Sequence, residues 1–345
     1  MQQYRTIIVA DYHKSVFVCQ VLDRETGETR KRTLTSRRGE LEPFLKDLPG
    51  QTLVFVEACR AWEWVSDLCE EVGVDLKLVN PAEMPEIARS RKKTDQHDVE
   101  AMVQRLLVTG QLPESYRASR AERELRGLTR RLSVLRNERR QLVHRIHAEI
   151  DSHGMPAKKG SFRKAPWREQ IEAVLSKDAW MVLESLLAHL DHTSESMARL
   201  EKRIKELVCD REDYQKLQAA EGIGPIIGAT ILAESAGIER FSSRRKYAAF
   251  TGIVPRVRSS GGQAKIGRIT RCGPADLRWA LGMAVMVSLR AKTSTPYARM
   301  YQRKRKKGKA GKQALCAAAH KLARIVFVLL TTDKTFDSST GAKVA

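Results

Sequence analysis

The sequence predicts an α/β N-terminal domain, an all-α middle segment and a mostly α C-terminal domain. Three observations lead there. Short apolar runs alternate with helical spacing over residues 1–110. Leucines then recur at three- and four-residue intervals over 121–208. Charge, finally, is shared unevenly between the two ends. The 345 residues hold 62 Lys+Arg and 41 Asp+Glu, a net of +21, which makes a polyanion the first partner to consider. Residues 1–110 hold 16 basic and 18 acidic side chains, whereas 251–345 hold 20 basic ones against Asp276, Asp333 and Asp337. With 42% hydrophobic residues the chain can build folded cores, which excludes wholesale disorder.

Residues 4–10 and 15–22 read as two strands joined by a tight turn, and 28–34 as a third. A helix follows over about 37–48, with Leu41, Phe44 and Leu45 on its apolar side. TLVFVE at 52–57 has the continuous apolarity of a buried central strand. A helix through Trp62, Trp64, Val65 and Leu68, a strand at 75–79 and a helix from Asp95 to about Leu107 complete the unit. This order matches the mixed sheet of the ribonuclease H and Holliday-junction-resolvase architecture. Gly110–Pro113 closes a first domain, 1–110.

The middle segment, 115–210, carries two heptad runs. Leu125, Leu128, Leu132, Leu135, Leu142 and Ile146 form the first, with Arg139 in the missing seam position. Leu183, Leu186, Leu190, Met197, Leu200, Ile204 and Leu207 form the second. Periodicity predicts a coiled coil but leaves open whether the helices pair within one chain or between two. Residues 211–332 read as a helical domain with an irregular centre, Arg303–Lys312 as a mobile basic linker, and 333–345 as a disordered tail.

Six scattered cysteines without a CxxC pair argue against a zinc ribbon and a disulfide scaffold, and fit a reducing cytoplasm. The N-terminus lacks the apolar core of a signal peptide. Ala314–Leu330 contains His320, Lys321 and Arg324, so it reads as a buried helix, and no membrane is expected.

Two constellations carry chemistry. Asp11 ends the first strand and Glu57 the fourth, which lies beside the first in this topology. Asp95 and Asp98, three apart, share one face at the start of a helix. Four converging carboxylates repel unless a cation lies among them, and oxygen donors suit Mg²⁺ or Mn²⁺. Asp95 as a helix N-cap is the structural alternative. Arg91, Lys92 and Lys93 stand ready to hold a phosphate backbone near these acids.

In the second constellation, Gly222 and Gly224 resemble a helix-hairpin-helix turn that admits a phosphate, or equally a tight turn between packed helices. Ser259-Ser260-Gly261-Gly262 follows, among Arg256, Arg258, Lys265, Arg268 and Arg271. A serine before glycines and among guanidinium groups suits attack on phosphorus, although a passive phosphate-binding turn has the same residues. Arg303, Lys304, Arg305, Lys306 and Lys307 add a further basic run.

These motifs together resemble the DEDD transposases of bacterial insertion sequences (insertion sequence family one-ten), which act as bridge-RNA-guided recombinases. The resemblance covers nearly the whole chain: VADYHK, VFVEACRAW, KKTDQHD, GIGPIIGATILAESAGIERF, FTGIVPRVRSSGG and GRITRCGPADLRWAL, in that order. It implies that Asp11, Glu57, Asp95 and Asp98 hold Mg²⁺. It implies too that Ser260 attacks DNA and becomes covalently bound to it, with Ser259 the adjacent alternative. Two double-stranded DNAs, a structured guide RNA and a homo-oligomer are the implied partners. Cys272-Gly273-Pro274 departs from the family's pattern of a basic residue, Gly and Asn. A metal-dependent junction nuclease and a basic architectural protein are the competing expectations.

Overall fold

The computed structural model describes residues 3–59, 61–85, 94–155, 160–260, 263–340 and 343–344; within 257–266 and 343–344 it describes the backbone only. The chain divides into two compact units, Met1–Arg120 and Ala121–Ala345.

The first unit is a six-stranded mixed sheet in the order β3-β2-β1-β4-β5-β6. Its strands are β1 (Thr6–Tyr12), β2 (Val16–Asp23), β3 (Thr29–Thr35), β4 (Thr52–Glu57), β5 (Asp75–Val79) and β6 (Glu114–Ser115). β1 pairs antiparallel with β2 and parallel with β4, and β4 pairs parallel with β5. Three helices cover the sheet: α1 (Arg38–Lys46), α2 (Trp62–Glu71) and α3 (Asp95–Thr109).

The apolar runs of β1 and β4 do not alternate with polar residues because both sheet faces are buried. Ile8, Ala10, Val54 and Val56 pack with Leu41 and Leu45 of α1 and Val65 and Leu68 of α2. Ile7, Val9, Leu53 and Phe55 pack with Val99, Met102, Val103 and Leu106 of α3. The topology is the mixed α/β sheet expected and is consistent with a ribonuclease H-like domain. The unit does not stop at residue 110, however. Asn80 donates its N–H to the Pro113 carbonyl, β6 pairs with β5, and Leu112 and Ala118 are buried. Gly110 ends a helix in the left-handed region, which is a local event, and the chain returns to the sheet edge afterwards.

In the second unit α4 (Arg120–Ser152) and α6 (Lys177–Val208) form an antiparallel helical hairpin. Leu125, Leu132 and Leu135 share a cluster with Met197, Ile204 and Val208, while Leu142, Ile146 and Ile150 pack with Leu183, Leu187 and Leu190. The helices therefore pair within one chain. Strict heptad spacing is not kept. Thr129, Leu187 and Val208 are buried where Leu128, Leu186 and Leu207 were expected, because helices this long drift against a 3.5-residue repeat. Near the tip, Arg168 of α5 (Ala165–Glu172) grips Asp191 with two hydrogen bonds, 2.6 and 2.8 Å.

The remainder is α7 (Glu212–Gln218), α8 (Pro225–Ser235), α9 (Arg244–Phe250), a β7–β8 ribbon (Pro255–Ser260, Gln263–Ile269), α10 (Ala275–Arg290), α11 (Pro296–Lys306) and α12 (Gly311–Thr331). α12 is long and apolar enough to cross a membrane, yet Ala318, Leu322, Val326 and Leu329 lie in the same core as Ile231 and Leu281. α4 is fastened to α8 by Arg130 and the buried Glu234, whose two hydrogen bonds measure 2.7 and 3.0 Å.

Three expectations are corrected here. The irregular centre is a β-ribbon, formed by an arginine-rich sequence with little apolar alternation to signal it. Arg303–Lys306 are the last turn of α11, not part of a linker; these cations are good helix formers and complement the negative end of the helix dipole. The described tail residues 333–340 have neighbours: Phe336 packs beside Tyr297, and Ser339 accepts a hydrogen bond from Arg299.

Gly222 has φ +93°, and a Cβ there would lie 2.3 Å from the Ala284 carbonyl oxygen of α10. The close approach is therefore to the chain's own backbone, as in a turn between packed helices. Gly222→Ala is expected to lower unfolding free energy by about 2 kcal/mol or more, read by chemical denaturation. A wild-type midpoint would show that α8 and α10 do not pack this closely.

Candidate active site

Register and alternation bring the acids together. β1 and β4 run parallel with Ala10 opposite Val56, so Asp11 and Glu57 both reach the carboxyl end of the sheet. Side chains alternate between faces along a strand. Asp11 follows Ile7 and Val9, and Glu57 follows Leu53 and Phe55, so both acids belong to the face covered by α3. Thr94 caps that helix by accepting the His97 N–H at 3.3 Å. The capping alternative for Asp95 thus falls away: Asp95 is the first helical residue, and Asp98 lies one turn on.

Asp11 is 3% exposed. His13 Nε2 lies 3.0 Å from Asp11 Oδ2 and 3.1 Å from Asp95 Oδ1. Possible ligand atoms of Asp11, His13 and Asp95 all fall within 4.8 Å of one another. Sequence reasoning passed over His13, although its place two residues beyond Asp11, in the turn leaving β1, was a visible signal. Tyr12 anchors the strand end, accepting a hydrogen bond from Trp64 Nε1 at 2.9 Å.

Electrostatics register the crowding. Burial, with the charges of Asp95 and Asp98, pushes the Asp11 carboxyl up against the opposing pull of His13. Burial, then Asp11 and Asp98, push Glu57 up to about 7. Burial pulls His13 down, but the carboxylates of Asp11, Asp95 and Glu57 outweigh it and hold its imidazole above the usual range. Carboxylates that suppress each other's ionisation fit a divalent cation, which restores the charged form. The oxygen donors fit Mg²⁺ or Mn²⁺, with the His13 imidazole as a further nitrogen donor. Arg91, Lys92 and Lys93 lie outside the described residues.

Ser259 and Ser260 belong to the second unit. They end β7, with Ser259 opposite Ala264 and Ser260 opposite Gln263; Gly261 and Gly262 lie outside the described residues. Arg258 pairs with Lys265 in the same ribbon. The ribbon's root is tightly made. A Cβ on Gly273 would lie 1.7 Å from the Phe250 carbonyl oxygen, and Arg271, at φ +58°, donates its N–H to Gly252. This explains why Gly273 keeps to the family's pattern while Cys272 and Pro274 on either side depart from it: only a residue without a side chain fits. Arg256, Arg268 and Arg271 are exposed at this base, while Gly224 caps α8 with open space around it.

A mixed sheet with a carboxylate cluster at its strand ends, followed by a basic helical unit, suits a protein that acts on nucleic acid. Comparison with known proteins narrows it. Residues 9–155 match a transposase domain of the DEDD, IS110 type, and residues 214–303 match the transposase IS116/IS110/IS902 family. The chain is 29% identical over 335 residues to a probable family 20 transposase of Pseudomonas aeruginosa, covering 94% of this chain and 97% of the relative. It is 25% identical to the transposase for insertion sequence element IS1328 of Yersinia enterocolitica, covering 96% and 98%. The transposase for insertion sequence element IS1111A of Coxiella burnetii is 24% identical, covering 82% and 79%. The chain is a transposase of the IS110 insertion-sequence family.

The raised Glu57 carboxyl gives a signed prediction. A folded-state value near 7 lies above the ordinary 4.5, so Glu57's contribution to stability is lost as pH rises through that interval. Glu57→Gln is therefore expected to stabilise the metal-free protein at pH 8 by on the order of 1 kcal/mol, after allowing for solvent screening at this partly exposed group. The variant should also lose most of the thermal stabilisation that Mg²⁺ or Mn²⁺ gives the wild type. A variant less stable than wild type without metal, yet equally responsive to it, would remove Glu57 from the site.

Proposed function

We propose that this transposase is an RNA-guided recombinase that exchanges DNA strands through a serine nucleophile, Ser260, acting with Asp11, Glu57, Asp95 and Asp98 around Mg²⁺ or Mn²⁺. The observation that carries the proposal is the convergence of mutually repelling acids around the buried Asp11, in a chain with a Ser-Ser-Gly-Gly sequence in its basic unit. Its partners are two double-stranded DNAs, a structured RNA that selects both by base pairing, and further copies of the chain. In the homo-oligomer the acids of one subunit serve the serine of another.

Residue chemistry supports each role. Asp11, Glu57, Asp95 and Asp98 would hold the cation at the strand ends, where a scissile phosphate would be oriented against it. When bound, that cation neutralises charge at the phosphate and lowers the cost of deprotonating a nearby hydroxyl. Ser260 Oγ then bonds to phosphorus, and the displaced strand leaves with a free hydroxyl. Arg256, Arg258, Lys265, Arg268 and Arg271 neutralise charge that builds on the phosphate oxygens. Transesterification conserves the phosphodiester bond energy, so no energy-supplying cofactor is required. Basic runs engage backbone without reading bases, which suits delegation of sequence choice to RNA.

A metal-dependent junction nuclease is the second reading, favoured by the acid cluster alone, because activated water could replace the serine. A nicked DNA substrate separates the two. Wild-type protein is expected to yield a denaturation-resistant protein–DNA adduct mapping to Arg258–Lys265. Ser260→Ala should bind DNA, RNA and metal but form none. An adduct that persists in Ser260→Ala and vanishes in Ser259→Ala moves the nucleophile by one residue. Cleavage without any adduct supports the nuclease.

A further inference from the structure

A patch on the second unit gathers four cations with no carboxylate paired to them among the described residues. Arg244 opens α9, Arg299 lies in α11, and Lys321 and Arg324 stand on α12, which packs against both other helices. A spacing of three puts Lys321 and Arg324 on one face. Burial and the guanidinium groups of Arg324, Arg244 and Arg299 push the Lys321 ammonium down. His320 is lowered as well, by burial and by Arg324.

Residues 241–340 hold three acids, and each is engaged elsewhere. Asp276 accepts from Ser133 at 2.6 Å, Asp333 lies 3.7 Å from Lys216, and Asp337 accepts from Ser339 and Thr340. None of the four cations pairs with a described carboxylate. Arg324 Nε is buried without a hydrogen-bond acceptor. Arg299 is held in place by the carbonyls of Ser294 and Ser339, the second of these from the tail.

Stability of the fold does not account for this arrangement. Like charges in a partly buried patch repel, and that repulsion is relieved by an anion. We infer that Arg244, Arg299, Lys321 and Arg324 bind the phosphodiester backbone of a nucleic acid. Guanidinium forks match phosphate oxygens, and the ammonium adds an adjustable point charge. Two of the four, Lys321 and Arg324, lie beyond the family-matched residues 214–303. The inference rests on the proposed function only in taking this unit to engage nucleic acid.

The test compares full-length wild type with Lys321→Gln, Arg244→Gln and the double variant. Binding to a DNA duplex of arbitrary sequence and to a stem-loop RNA is followed by fluorescence anisotropy over a salt series. The slope of log affinity against log salt should flatten by about one for each phosphate no longer engaged, and by about two in the double variant. Melting temperature should be unchanged or higher, because a repelling charge has been removed. Loss confined to one polymer identifies which backbone occupies the patch. An unchanged slope overturns the inference, and so does a flattened slope with a lowered melting temperature, which would make these cations structural. Failure of the wild type to bind either polymer would overturn the nucleic-acid reading of the unit, and the inference with it.

Discussion

Asp11 sets the terms for the first unit. A carboxylate almost wholly removed from water, at the end of a central strand, carries a desolvation cost that nearby positive charge offsets. The neighbourhood compounds that cost: Glu57 arrives from the adjacent parallel strand, and Thr94 starts α3 so that Asp95 and Asp98 face the same place. In the protein by itself, His13 bridges Asp11 and Asp95 and supplies part of the offset. The rest of the unit serves to hold these groups against their repulsion. Both sheet faces are packed, and the Tyr12–Trp64 pair pins the strand end to α2.

The second unit meets the opposite electrostatic problem with a different construction. Its basic residues are spread over helix ends and a narrow ribbon, where solvent screens them until a polyanion arrives. Rigidity comes from helix packing and from a few polar ties. Arg130–Glu234 and Ser133–Asp276 fasten the helical hairpin to α8 and α10. At the root of the β7–β8 ribbon, Gly252 and Gly273 let two chain segments cross at distances no other residue permits. The serines stand at the far end of the ribbon from this crossing, so their reach is set by strand length and not by a long flexible loop.

Legibility followed the range of the forces involved. Strands β1, β4 and β5 announced themselves by apolar runs, and the two long helices by spacing, because burial imposes those patterns on every residue. Signals weakened where structure depends on a single pairing. β6 is two residues long and exists because Pro113 and Glu114 meet the edge of β5. The ribbon lacks a strong apolar face, since its strands carry arginine, lysine and serine. Arg303–Lys306 looked like a solvated linker because charge density is read as disorder unless a helix is known to precede it.

The sequence by itself determined the order of strands and helices from β1 to α3, the placing of Glu57's strand beside that of Asp11, the four acids, and the motifs that resemble the family. These are encoded in residue type and local period, and survive any change in long-range detail. Tertiary structure alone decided that Thr94 caps the helix, that His13 bridges two acids, and that Gly222 serves helix packing. It also decided that the long helices pair within one chain. Each of these depends on which surfaces meet across dozens of residues, and a linear pattern specifies the surfaces without fixing their partners.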